Sequence, residues 1–173
     1  HPALGKRDLL GDTVRLAKAS NIKVMAYIPV GHGLPGSWVS KLKPAWRFLM
    51  DDGKSPEGIC HFGAPALVPI CTNGEYRQEI LRIVREVTFG YDIDGIYLDG
   101  PYQGWIWDHH ACQCAACREG YHEETGNALP TNADYARRED AQTGTRVAAH
   151  ADWAAKGLIT LLGEIRRIVK EKK

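Results

Sequence analysis

Two short apolar runs, 22–30 (IKVMAYIPV) and 93–99 (IDGIYLD), set what this chain can fold into. Both are too short for an independent helix and are rich in β-branched and aromatic residues, the mark of strands. Each follows a stretch of helical periodicity. In 8–20, Leu10, Val14 and Ala17 recur at i, i+4 and i+7, with Asp8 placed to cap the start and Asn21 to end it. Ahead of the second run, Ile80, Val84 and Val87 form another stripe. Thr72-Asn73-Gly74-Glu75 predicts a capping box at its start, and Gly90 predicts its end. Strands separated by a helix pair in parallel through a right-handed crossover; the run 22–30 is expected to be buried on both faces, while a sheet of only two strands would leave its faces and edges poorly covered.

What lies between these elements is asymmetric. The helix-to-strand turns at 20–22 and 88–92 are terse, whereas long polar and aromatic loops follow both strands, over roughly 31–71 and 100–113. Long loops at one end and short turns at the other are the pattern of a barrel whose C-terminal strand ends carry the ligand. A full eight-stranded barrel takes about 250 residues, and this chain has 173. The expectation is one α/β domain over 1–173, a partial TIM (β/α)8 barrel made of its middle βα units. After the second loop, Val147, Ala151, Ala154, Leu158, Leu161, Ile165 and Ile168 repeat every three or four residues, predicting a long amphipathic last helix. The charges of 134–140 and 164–173 read as a solvated helix face.

Composition narrows the function classes. The chain is 44% apolar and 25% charged, with 22 basic against 21 acidic residues. It can bury a core, and it lacks the basic excess that holds a nucleic-acid backbone, so no nucleic-acid partner is expected. No apolar run approaches the ~18–20 residues of a membrane span, so no membrane partner is expected. The chain opens on His1 rather than Met, and its own start is expected to lie upstream.

The second run ends in chemistry. In Gly95-Ile96-Tyr97-Leu98-Asp99-Gly100-Pro101, Ile96 and Leu98 share one face and Tyr97 takes the other, while Asp99 stands where the strand runs out. A carboxylate there projects into a barrel mouth, with Gly100 allowing a close approach; an aspartate before glycine can equally cap the turn. Asp94, at the strand entrance, reads as turn and register.

Five cysteines cannot form a complete internal disulfide set, and three of them crowd into Cys112-Gln113-Cys114-Ala115-Ala116-Cys117. Thiolates at C-x-C-x-x-C spacing share a metal centre, most commonly zinc. A closed site needs a fourth ligand, for which Cys71, Cys60, His109 and His110 are candidates.

The segment 93–101, IDGIYLDGP, resembles the fourth-strand segment of (β/α)8 glycoside hydrolases, and above all the hypothetical glycosyl hydrolase family 6 group related to α-L-fucosidases. The resemblance implies that Asp99 is the nucleophile of a retaining mechanism, as the strand-end aspartate is in those enzymes. The cysteine knuckle resembles that of family 42 β-galactosidases. That likeness implies one structural zinc held by Cys71, Cys112, Cys114 and Cys117. The segments that carry the resemblance are 71–77, 93–101 and 112–117.

Around the rim, His32 is expected to meet a sugar hydroxyl, and Trp46, Tyr102 and Trp105 to offer rings to a sugar face; Trp46 can equally pack under the loop. Trp107, Asp108, His109 and His110 complete the loop after Asp99; Asp108 and Glu57 are candidates for an acid/base partner, and His61 has no assigned role. The expected activity is hydrolysis or transfer at an O-glycosidic bond of a carbohydrate. Two other readings stand beside it, a non-catalytic carbohydrate-binding or structural zinc-containing module and a zinc hydrolase using His109 or His110.

Overall fold

The computed structural model describes residues 5–33, 43–55, 67–101 and 110–172. Helix α1, Leu9–Ala19, is capped by Asp8, whose carboxylate accepts from the Gly11 amide at 3.0 Å. Asn21 turns the chain out of it at φ 56, the left-handed conformation that asparagine tolerates. Strand β1, Met25–Pro29, follows. Within the long region expected to be irregular, β2 (His32–Gly33) pairs antiparallel with β3 (Val68–Pro69), and a short 3-10 turn, Pro44–Trp46, lies between them. Then come α2 (Tyr76–Gly90), β4 (Gly95–Asp99), α3 (Ala115–Thr125), α4 (Asn132–Ala136) and α5 (Ala141–Glu171).

The central unit is the expected one. β1 and β4 pair in parallel, in the register Met25 to Gly95, Tyr27 to Tyr97 and Pro29 to Asp99, with α2 in the connection. At its entrance the Asp94 carboxylate accepts from the Val24 amide at 2.8 Å and pairs with Lys18 and Lys23, both at 3.1 Å. That amide first, and then the lysines, hold its carboxyl well below the usual range. Asp94 is therefore a register residue. One face of the strands packs on the helices: Ile28 and Val30 meet Ile80 and Val84 of α2 and Leu161, Ile165 and Ile168 of α5. Each of these fully buried side chains contributes roughly 1.5–3 kcal/mol. Arg77 locks the two helices together, donating to Glu164 at 3.0 Å and to the Gly157 carbonyl at 3.2 Å.

Three expectations need correction. Among the described residues β1 is covered on one face: Met25 and Tyr27 are 59–61% exposed, because α2 and α5 lie on the side of Ala26 and Ile28. The box at Thr72 does not form. Thr72 is wholly buried with its hydroxyl unpartnered, and Glu75 opens α2 in helical geometry with no side-chain cap. The reciprocal box sits instead at Thr131 and Asp134, so Asp134 is a buried capping residue and not part of a solvated face. No barrel closes among the described residues, and none of their helices is long and apolar enough to cross a membrane.

Candidate functional site

The alternation that turns Ile96 and Leu98 toward the helices turns Tyr97 and Asp99 to the open face. Asp99 closes β4, and Gly100 follows at φ 56, where a side chain would be strained. The carboxylate keeps 35% of its surface and is held from the first strand and its extension. Tyr27, facing the same side of β1, donates its phenol to Oδ2. His32, fixed in β2 opposite Pro69 and 12% exposed, brings Nε2 to 3.3 Å from the same oxygen. Tyr27 and Tyr97 lie side by side as stacked rings, with centroids 5.7 Å apart and planes 12° apart. A carboxylate presented at a strand's C-terminal end, oriented by a phenol and an imidazole, can attack an electrophilic carbon or take up a proton.

Expected beside it were Trp46, Tyr102 and Trp105. Trp46 is 6% exposed, tilted against Tyr76 at 5.2 Å with the Lys43 ammonium over its ring. A ring covered in this way fits its other reading, packing beneath the loop. Tyr102 and Trp105 lie outside the described residues, as do Glu57, Cys60, His61, Trp107, Asp108 and His109.

The second site is a thiol cluster. Cys71 follows β3; Cys112 and Cys114 lie in the approach to α3; Cys117 is in its first turn. The four sulfurs lie within 4.8 Å of one another and all four residues are buried. Cys71 Sγ is 3.4 Å from Cys117 Sγ and 3.6 Å from Cys114 Sγ. A disulfide would need about 2.05 Å, and the thiols are free. A tetrahedral ion with sulfur at about 2.3 Å sets sulfur–sulfur edges near 3.8 Å. The donor set and its size therefore fit a metal ion of the zinc type. Two features favour thiolates here. The cluster caps the N-terminal end of α3, where the helix dipole is positive, and Asn73 reaches Cys117 Sγ at 3.5 Å. Hydrogen bonding from Cys112 and the other neighbours lowers Cys114, while the competing sulfurs raise Cys71 and Cys117.

The loop around 46–55 braces this centre. Cys71 N bonds to the Trp46 carbonyl at 2.8 Å, Gln113 N to the Leu49 carbonyl at 2.7 Å, and the Asp51 carboxylate accepts from Asn132 N at 2.8 Å, at the start of α4. Behind the cluster stand Phe48, Leu129, Tyr121 and Tyr135. The Tyr135 hydroxyl and His150 Nδ1 are 2.6 Å apart, and burial pushes His150 down to about 4. His110, a candidate fourth ligand in the sequence, lies edge-on to Tyr135 and is not in the group formed by the four thiols.

Sequence reading missed Tyr27 as a partner of Asp99. Its parity in IKVMAYIPV already placed it opposite Ala26 and Ile28; only the strand register was lacking. The Tyr135–His150 pair left no sequence signal, since its two residues sit on different helices.

Comparison with known proteins bears on the strand unit. A solved structure, α-L-fucosidase isoenzyme 2 from Paenibacillus thiaminolyticus, superposes with a TM-score of 0.64 at 24% identity, over 95% of this chain and 21% of that one. The likeness shows a glycosidase-type α/β fold, and the chain spans about a fifth of that protein's length. No curated protein matches the chain. Residues 1–100, which carry both paired strands, Tyr27, His32, Cys71 and Asp99, match the family described as hypothetical glycosyl hydrolase 6, and the chain belongs to that family.

Proposed function

We infer that this chain supplies middle βα units of a (β/α)8 glycoside hydrolase acting on an O-glycosidic bond of a carbohydrate, with Asp99 as nucleophile of a retaining mechanism. The observation that carries this reading is the position of Asp99, on the open face at the C-terminal end of a parallel strand inside the family-matched segment. In such a mechanism the carboxylate attacks the anomeric carbon while a second carboxyl, about 5–5.5 Å away, protonates the departing oxygen. His32 already borders the carboxylate, and Tyr102 and Trp105 follow it in sequence, so these are the residues proposed to contact the sugar.

Cys71, Cys112, Cys114 and Cys117 are proposed to hold one structural zinc. Four thiolates fill its coordination shell and leave no position for a reacting water. The ion's part would be to tie the segment before α2 to the loop that follows β4, which steadies the rim beside Asp99.

A 2-fluoro glycoside with an activated leaving group tests the nucleophile. The expected result is a stable glycosyl adduct that peptide mapping places on Asp99. An adduct on another residue, or turnover in Asp99→Asn at the parent rate, overturns the assignment. Elemental analysis of protein purified without chelators is expected to give one zinc per chain, and a value near zero removes the metal.

A further inference from the structure

The two contacts on Asp99 are unequal to its two oxygens. Tyr27 and His32 both meet the same oxygen, Oδ2. The strand pairing explains why. Tyr27 is in register with Tyr97, two residues before Asp99 on the same face, and its ring lies along that of Tyr97. Lying so, it carries its hydroxyl forward to the end of the neighbouring strand. A shorter side chain, or a tyrosine one position along, would miss the carboxylate or point toward the helices.

We propose that Tyr27 is a positioning residue for Asp99, its phenol holding Oδ2 so that Oδ1 is the oxygen presented to the anomeric carbon. The proposal rests on the reading of Asp99 as the reacting carboxylate. A carboxylate tethered through one oxygen cannot rotate about its terminal bond, so its second oxygen keeps the near-attack direction without reorganising. Exposure of the Tyr27 ring does not weaken the role, because Tyr97 supports that ring by stacking.

The test deletes one oxygen. Tyr27→Phe keeps the stacked ring and removes the donor, and Tyr97→Phe is the hydroxyl control on the same face. Both are made in the full chain beside Asp99→Asn and assayed on a panel of 4-nitrophenyl glycosides. In parallel, the ¹³C carboxyl resonance of Asp99 is followed, assigned by its loss in Asp99→Asn. The expected result for Tyr27→Phe is a kcat lowered roughly 10- to 100-fold, the range for one hydrogen bond to a charged group. KM should stay within about twofold, as for an interaction that acts in the transition state, and the Asp99 resonance should move. Tyr97→Phe should leave all three at parent values. Unchanged kcat and resonance in Tyr27→Phe, with turnover abolished in Asp99→Asn, overturns the proposal and leaves Asp99 its role. A raised KM at unchanged kcat also overturns it, since the phenol would then be meeting the sugar. A moved resonance in a chain that turns over none of the glycosides supports the hold of Tyr27 on Asp99 and counts against Asp99 as nucleophile.

Discussion

Asp99 and the four cysteines stand at opposite extremes of one fold. The carboxylate lies on a strand face that the described residues leave open, a third of its surface exposed, and is oriented by two side chains. The thiols are sealed under Phe48, Leu129 and two tyrosines, cross-braced by backbone bonds from the 46–55 loop. The first region leaves a carboxylate partly open. The second leaves its thiols buried. In the proposed reading the contrast separates a part that would act on substrate from a part that would hold the first in place, and each variant below strikes one side of it.

The largest effect belongs to the exposed side. Asp99→Asn is expected to lower glycoside turnover by roughly 10³-fold or more while the melting temperature stays within a few degrees of the parent. A variant that unfolds instead would place Asp99 among the structural residues and erase the contrast. Cys114→Ser should do the reverse. Loss of one of four ligands from a closed site is expected to cost about 3 kcal/mol or more, which in a chain of this size lowers the melting temperature by roughly 10 °C. Turnover by the protein that remains folded should be reduced far less than in Asp99→Asn. Scanning calorimetry and elemental analysis on the same sample check both halves.

His150 sharpens the buried side through pH. Its ordinary value is 6.5, and burial depresses it to about 4 in the fold. Above pH 6.5 the ring is neutral in both states. As pH falls from 6.5 through 4 the unfolded chain takes up a proton that the folded one refuses, so stability is lost across that window, by about 3 kcal/mol between pH 7 and pH 4. Urea denaturation at the two pH values should show a smaller loss in His150→Gln, which keeps an acceptor for Tyr135. An equal loss in both proteins would shift the cause to other groups. The smallest effect is expected at Asp94. Asp94→Asn weakens the bonds to Val24, Lys18 and Lys23 at the far end of the strand pair, and should lower the melting temperature by less than Cys114→Ser without altering turnover.

What the sequence disclosed follows the range of the forces involved. The strands, the helical stripes, the Asp8 cap and the Asp94 turn depend on neighbours within a few residues or on a period of two or 3.6, and all were legible. The cysteine knuckle was legible because its spacing is itself local. Which of its two readings Trp46 takes, and the burial of Thr72, depend on tertiary partners: Tyr76 packs on the tryptophan, and the buried surroundings of Cys71 take in the threonine. The Tyr27–Asp99 contact needed the register of two strands 72 residues apart, and the Tyr135–His150 contact needed the docking of α4 on α5. Neither is written in any short window.

The sulfurs of Cys71 and Cys114 come from positions 43 residues apart, and the stretch they enclose contains all of α2, all of β4 and Asp99 itself. An ion held there, as proposed, would turn that stretch into a closed ring. By analogy with a covalent staple of the same span, it deprives the unfolded chain of conformational freedom worth about 4 kcal/mol. The ring would thus bias the order of assembly, bringing the crossover helix and its strand together before the remote elements dock. The element that delivers the carboxylate would then be among the earliest parts of the molecule to settle.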